Sequence, residues 1–329
     1  MNYHRIYDTD TPVFLARLAD TPPMQRLKGV GMNCGCEYTA FPRFAGIARY
    51  TRYEHSLGAA MIVWRFTHDK AQSASALLHD IATPPFAHVV DFLRGDYLDQ
   101  TATESGTADI IRASEEIGAI LSSLGLTVAD VEDYHRYPIA DNDAPRLSAD
   151  RLEYTVGNAF NFALASAEEL AALFADIVPA ENEYGEEELC FRTPEKAARF
   201  ADIALACSKI YVSDADRYAM EMLAELLRGA LAAGVLAAAD LGGTEEALLE
   251  KLCADARFAA RWRAFCSMSR IELAERPDGR DGWRSIRAKR RRIDPYVMGR
   301  GRVSALDPAR GEAIAAFLSE KTDYYVRGE

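Results

Sequence analysis

Arg52-Tyr53-Glu54-His55-Ser56-Leu57-Gly58 and, 24 residues after His55, Leu77-Leu78-His79-Asp80-Ile81-Ala82-Thr83-Pro84-Pro85-Phe86-Ala87-His88 decide how this chain is read. Adjacent His79 and Asp80 offer an imidazole nitrogen and a carboxylate oxygen, ligand types that Zn, Mn, Fe, Ni or Co accept, and the distant His55 can supply a third ligand. From His55 the apolar positions Leu57, Ala60, Met61 and Trp64 recur at three- and four-residue steps, so His55 opens an amphipathic helix with a buried face. Residues 71–79 predict a second helix, apolar at 74, 76, 77 and 78, and Pro84-Pro85 stops whatever follows. His79 and Asp80 then fall at a helix C-terminal end, where side chains can converge with those of another helix. The apolar residues on both sides of the pair argue for burial, and a buried charge needs a partner. His68-Asp69, set among polar residues at a helix end, is the solvated counter-example.

Further along, Leu147-Ser148-Ala149-Asp150-Arg151-Leu152-Glu153-Tyr154 reads as a helix start with a polar cap at Ser148, and it supplies Asp150 as a candidate fourth ligand. Up to about Asn33 the pattern is short helices punctuated at Thr9-Asp10-Thr11-Pro12 and Thr21-Pro22-Pro23. Residues 34–50 have no helical period and read as a loop or short hairpin leading into the site. After Asp91 the chain reads as helical to Leu124. Residues 165–207 hold two helical patterns around an acidic interruption, with Leu189-Cys190-Phe191 as one short strand, and 208–264 are helical with a break at Gly242-Gly243. Arg284, Arg287, Lys289, Arg290, Arg291 and Arg292 form a cationic run read as a solvated helix face before a binding patch. No internal repeat is apparent. The expected fold is all-α, with at most a short β-hairpin. Its expected division is a core over 1–165 carrying the metal site and a helical region over 166–329 that packs on it and offers an oligomer interface.

At 329 residues and 49% hydrophobic, the chain can bury a sizeable core. A net charge of −12 argues against a nonspecific hold on nucleic-acid backbone by the whole surface, so no stable nucleic-acid partner is expected. The N-terminus lacks a secretory pattern. The longest apolar stretch, 229–239, falls far short of the roughly 20 residues of a membrane span. A cytoplasmic protein with no membrane partner is therefore expected. Six scattered cysteines read as reduced core thiols, and Cys34-Gly35-Cys36 alone is a weak metal signal. His4 and His135 have no constellation around them.

Taken together, Arg52-Tyr-Glu-His55-Ser-Leu-Gly58, His79-Asp80-Ile-Ala-Thr-Pro-Pro-Phe-Ala-His88 and Asp150-Arg-Leu-Glu-Tyr154 resemble the three ordered signatures of the HD-domain metal-dependent phosphohydrolase superfamily. Within it they are most similar to the branch containing the deoxynucleoside triphosphate triphosphohydrolases, and Lys289-Arg-Arg-Arg-Ile-Asp-Pro295 followed by Gly301-Arg-Val-Ser304 resembles that branch's C-terminal part. The resemblance covers most of residues 20–160. It implies that His55, His79, Asp80 and Asp150 ligate a divalent ion (Zn, Mn, Fe, Ni, Co or Mg), and that Arg52 reaches substrate phosphate. It also implies that Arg151 and Tyr154 face the phosphate chain and that His88 and Asp91 lie beside the metal as catalytic groups.

Five positions depart from the branch. Thr83 stands where a His follows the His-Asp pair, Thr103 precedes Glu104 where another His is usual, Gly157-Asn158 replaces an Arg-Asp pair, and the sugar-reading Gln falls near Met32. The expected protein is a metal-dependent phosphohydrolase, acting through metal-activated water on a phosphoester or phosphoanhydride of a small, nucleotide-like substrate. It is expected to work as a homo-oligomer and to be slower or differently specialised than the branch. Two alternatives stay open: a deoxynucleoside triphosphate triphosphohydrolase proper, and a catalytically weakened nucleotide-binding or regulatory protein.

Overall fold

The computed structural model describes residues 3–7, 10–94, 106–287 and 289–329. Fifteen α-helices among them carry the fold, as the helical periods predict. The helix Arg52–Thr67 is opened by a capping box in which Glu54 N–H donates to Thr51 Oγ1 at 3.3 Å and Thr51 N–H to Glu54 Oε2 at 2.8 Å. It ends at His68, whose φ of 51° is left-handed, and Asp69 at once caps the helix Lys70–Leu78 through Ala71 N–H and Gln72 N–H. His68 and Asp69 are thus an exposed two-residue connection, as the counter-example requires. The helix Ala149–Asn161 starts at Ser148, whose Oγ accepts from Arg151 N–H at 3.2 Å.

The helix Arg52–Thr67 packs against both of the other two. Met61, Ile62, Ala74, Leu77, Leu78, Leu152 and Val156 fill the space between them, and burying each of the larger side chains stabilises by roughly 1.5–3 kcal/mol. Two hydrophobic clusters run through the molecule, and each draws residues from both sides of position 165. The second gathers Phe41, Phe44, Phe86 and Phe92 against the helix Asp214–Ala232.

The predicted short strand is half of a hairpin, Ile177–Glu181 with Glu187–Phe191. Strand content goes beyond one hairpin. Phe191 pairs in parallel with Val297 of Tyr296–Val297, which pairs with Gly301–Arg302, and Ile271–Ala274 forms a separate ribbon with Tyr325–Gly328. Periodicity cannot find two-residue strands, which are defined only by their partner. The four-stranded sheet matters for the site. Glu188 is fully buried, accepts two hydrogen bonds from Arg302 and takes Leu147 N–H at 2.9 Å, while Asp294 N–H donates to Pro145 O at 2.9 Å. The sheet thereby ties together the turn before the helix Ala149–Asn161 and the chain leaving the cationic run.

Candidate metal centre

The helix Arg52–Thr67 contributes His55, the end of the helix Lys70–Leu78 contributes His79 and Asp80, and the helix Ala149–Asn161 contributes Asp150. His55, His79 and Asp80 are all buried, and their donor atoms lie within 4.8 Å of one another. Asp80 Oδ2 stands 3.9 Å from His55 Nε2 and 3.6 Å from His79 Nε2. Asp150 Oδ1 lies 3.0 and 3.6 Å from the same two nitrogens. Two imidazoles and the Asp80 carboxylate converge, with the Asp150 carboxylate beside both imidazoles, and this donor set fits a borderline divalent cation. No other cluster of this kind occurs among the described residues, and Cys34 and Cys36 are free buried thiols outside it.

Each donor is held from behind. His79 Nδ1 donates to Ala76 O at 2.8 Å, which leaves Nε2 as the acceptor, and Tyr134 lies against the ring at 4.7 Å. His55 Nδ1 reaches Glu153 Oε2 at 2.6 Å, and Tyr50 donates its hydroxyl to that oxygen. Asp80 takes Thr83 Oγ1 on Oδ1 at 2.7 Å and an Arg52 terminal nitrogen on Oδ2 at 2.9 Å. Arg26, not singled out by sequence, donates to Ile81 O and Thr83 O and so fixes the turn after His79-Asp80.

Burial alone would raise the Asp80 carboxyl, but Arg52, His79 and His55 outweigh it and hold Asp80 well below the usual carboxylate range. Asp150 is lowered in the same way, by His55 and His79 against burial. Burial opposes a proton on His55, yet the Asp150 and Glu153 carboxylates raise that imidazole to about 10. The carboxylates that favour positive charge on His55 would equally favour a cation held beside them.

The donors lie in a cavity of about 540 Å³. Arg52, Arg151, Tyr154 and His88 all line it. One nitrogen of Arg52 is committed to Asp80, and Arg151 is braced by Asp141, Asn142 and Ser148 at 2.9–3.1 Å. His88 follows two residues in left-handed backbone, Phe86 at φ 62° and Ala87 at φ 46°, and its Nδ1 meets Asp91 Oδ2 at 2.9 Å. Burial first, then the positive Arg291 and Arg52, pull His88 down to about 4 despite Asp91. Its imidazole is therefore neutral at pH 7. Thr83 lies fully buried against Asp80, whereas Thr103 and Glu104 fall outside the described residues.

The cationic run corrects its sequence reading. None of its described residues is helical, and Lys289, Arg290, Arg291 and Arg292 line the cavity. Ile293, Asp294, Pro295 and Tyr296 are buried just beyond, and that anchor holds the run in irregular backbone instead of a solvated helix. Arg284 is separate, bound to Glu225 through two nitrogens.

Sequence reasoning passed over Glu153, although its i+3 spacing from Asp150 puts both on one helix face. It passed over Asp216 in the cavity wall as well, while Asn158, noted only as a departure from the branch, lines the same wall. Burial raises Asp216 well above the carboxylate range, and Cys36 Sγ donates to it at 3.5 Å. Asp216 lacks a spacing signal because the helix Asp214–Ala232 reaches the site only through tertiary packing.

No protein-family model matches the chain. It is 25% identical over 240 residues to the uncharacterised protein YdhJ of Bacillus subtilis, covering 72% of this chain and 70% of that one. It is 29% identical over 156 residues to the metal-dependent phosphohydrolase cns2 of Cordyceps militaris, covering 47% of this chain and 43% of that protein, less than half its length. Among solved structures, a phosphohydrolase from Bacteroides thetaiotaomicron superposes with a TM-score of 0.66 over 97% of this chain and 96% of that one, at 14% identity. That last likeness speaks to the fold: the mostly helical architecture is one a phosphohydrolase adopts.

Proposed function

We propose that the chain is a metal-dependent phosphohydrolase of the HD-domain type, acting on a small, nucleotide-like phosphate ester or anhydride. The observation that carries this is the convergence of His55, His79 and Asp80 in a cavity also lined by Arg52, Arg151 and residues 289–292. Anionic donors beneath and cations around the walls suit a phosphoryl group that is to be held and attacked. Phe44, Phe162, Tyr154 and Tyr211 line the same cavity and favour a flat organic moiety beside the phosphate.

The cation would be held by His55 and His79 through Nε2, by Asp80 through Oδ2, and by Asp150. When bound, it supplies Lewis acidity toward a phosphoryl oxygen and lowers the pKa of water. Arg151 and the cations of 289–292 orient the phosphate and offset its charge. His88 donates its Nδ1 proton to Asp91 and keeps Nε2 as an acceptor, so it can take a proton from attacking water and return it to the leaving oxygen. His55, His79 and Asp80 are themselves buried, which limits the access of bulk water to them.

The finer reading, a deoxynucleoside triphosphate triphosphohydrolase, is supported by the motif likeness and the basic lining. A regulatory nucleotide-binding role is favoured by Thr83, whose hydroxyl is committed to Asp80 where a protonatable group would otherwise stand. Elemental analysis of purified protein beside Asp80→Ala, then phosphate release from a panel of nucleotides and phosphomonoesters with that metal supplied, separates them. Stoichiometric metal lost in the variant with metal-dependent release supports the enzyme. Release of intact triphosphate points to the finer reading, metal without turnover to the binding protein, and no metal at all refutes the centre.

A further inference from the structure

We infer that the buried Glu153–Tyr50 pair is the positioning device for His55, and that Gly58 and Gly157 are the space it is built in. The inference rests on the metal-centre reading above and concerns residues that bind neither substrate nor cation.

Glu153 is wholly buried and Tyr50 nearly so. A carboxyl group in such a place is costly unless it is hydrogen-bonded, and Oε2 takes both His55 Nδ1 at 2.6 Å and the Tyr50 hydroxyl. A carboxylate behind Nδ1 keeps the proton on that nitrogen and fixes the ring plane, so that Nε2 is the nitrogen that would give up its proton to Asp150 and turn its lone pair to a cation. That nitrogen is the one facing Asp80 Oδ2 and Asp150 Oδ1. Because Asp150 and Glu153 are three residues apart on one helix, a single element addresses both nitrogens of the imidazole. Tyr7 is buried as well, and burial, reinforced by Glu153, holds its phenol well above the ordinary value.

The glycines supply an independent line of argument. Gly58 lies inside the helix Arg52–Thr67 and Gly157 inside Ala149–Asn161, and neither has a positive φ. Backbone geometry therefore gives no reason for glycine, which inside a helix is less stable than alanine. A Cβ on Gly58 would sit 2.6 Å from Glu153 Oε1 and 2.7 Å from its Cγ. A Cβ on Gly157 would sit 2.5 Å from the Tyr50 hydroxyl oxygen and ring. The atoms nearest to a side chain at either position belong to the pair behind His55.

The test is chelator-competition titration of the metal-stripped protein with Zn²⁺ and Co²⁺, with the visible spectrum of the cobalt form and the thermal midpoint of the stripped protein recorded in parallel. Glu153→Gln, Tyr50→Phe and Gly58→Ala are each expected to weaken metal binding, the first by about 10–100-fold, and to alter the cobalt spectrum. In a Glu153→Ala background, Gly58→Ala should weaken binding no further, since the atoms it strikes are gone. A merely structural role would lower the midpoint and leave affinity and spectrum of the folded protein alone. Wild-type binding with all three variants within twofold of it overturns this inference and leaves the metal centre standing. Absence of binding by the wild type overturns both.

Discussion

Thr83 donates its hydroxyl to Oδ1 of Asp80 at 2.7 Å, so the oxygen that faces His55 and His79 is Oδ2. Removing that donor frees the carboxylate to rotate. Thr83→Val, nearly the same in shape, is expected to weaken metal binding roughly 10-fold, the lower end of what outer ligands contribute. Chelator competition measures it, and unchanged affinity would show that Arg52 alone fixes Asp80.

Arg52 is the counter-charge of buried Asp80. Arg52→Met leaves that carboxylate buried without it, and breaking such a pair costs about 3–5 kcal/mol. Urea unfolding in the presence of a chelator should show that loss. With saturating metal the difference should shrink, because the cation takes over the neutralising role.

His88→Ala should lower kcat by ~10²–10⁴ while metal content stays that of the wild type. The acid limb follows from its depressed pKa: His88 is a neutral acceptor above about 4 and loses that capacity as pH falls through that value. A pH–rate profile flat from neutrality to near 5 and then falling is expected. An acid limb centred at the ordinary histidine value of about 6.5 would assign the proton transfer to another group.

Away from the site, Glu37 is buried beside Glu245, and burial first, then Glu245, raise it to about 7 against the pull of Arg49. The folded protein thus holds its proton where the unfolded chain, near 4.5, has released it. Stability from this group declines as pH rises from about 4.5 to about 7 and is level beyond. Glu37→Gln should raise the thermal midpoint at about pH 8 and change it little near pH 5. Equal effects at both pH values would show that Glu37 does not titrate in that window.

Much of this arrangement is legible in the chain itself. His55 sits at a helix start, His79-Asp80 at a helix end between apolar residues, and Asp150 after a Ser cap, because capping and helical period are local properties that neighbouring residues determine. The same locality made exposed His68-Asp69 separable from buried His79-Asp80. What stood outside that reach depends on long-range packing. Glu153 and Tyr50 are 103 residues apart, and nothing in either neighbourhood announces that they share a proton donor and acceptor behind His55.

The sequence by itself determined which residue types can bind a cation and on which helices they ride, since ligand chemistry and helix periodicity need no partner. Only the tertiary structure decided that residues 289–292 line the cavity instead of a solvated helix, and that two helix glycines face the Tyr50 and Glu153 side chains. The physical reason is the same in each case. Burial and close approach are set by the segment that packs opposite, here the buried anchor at 293–296 and the packing of the helices Arg52–Thr67 and Ala149–Asn161.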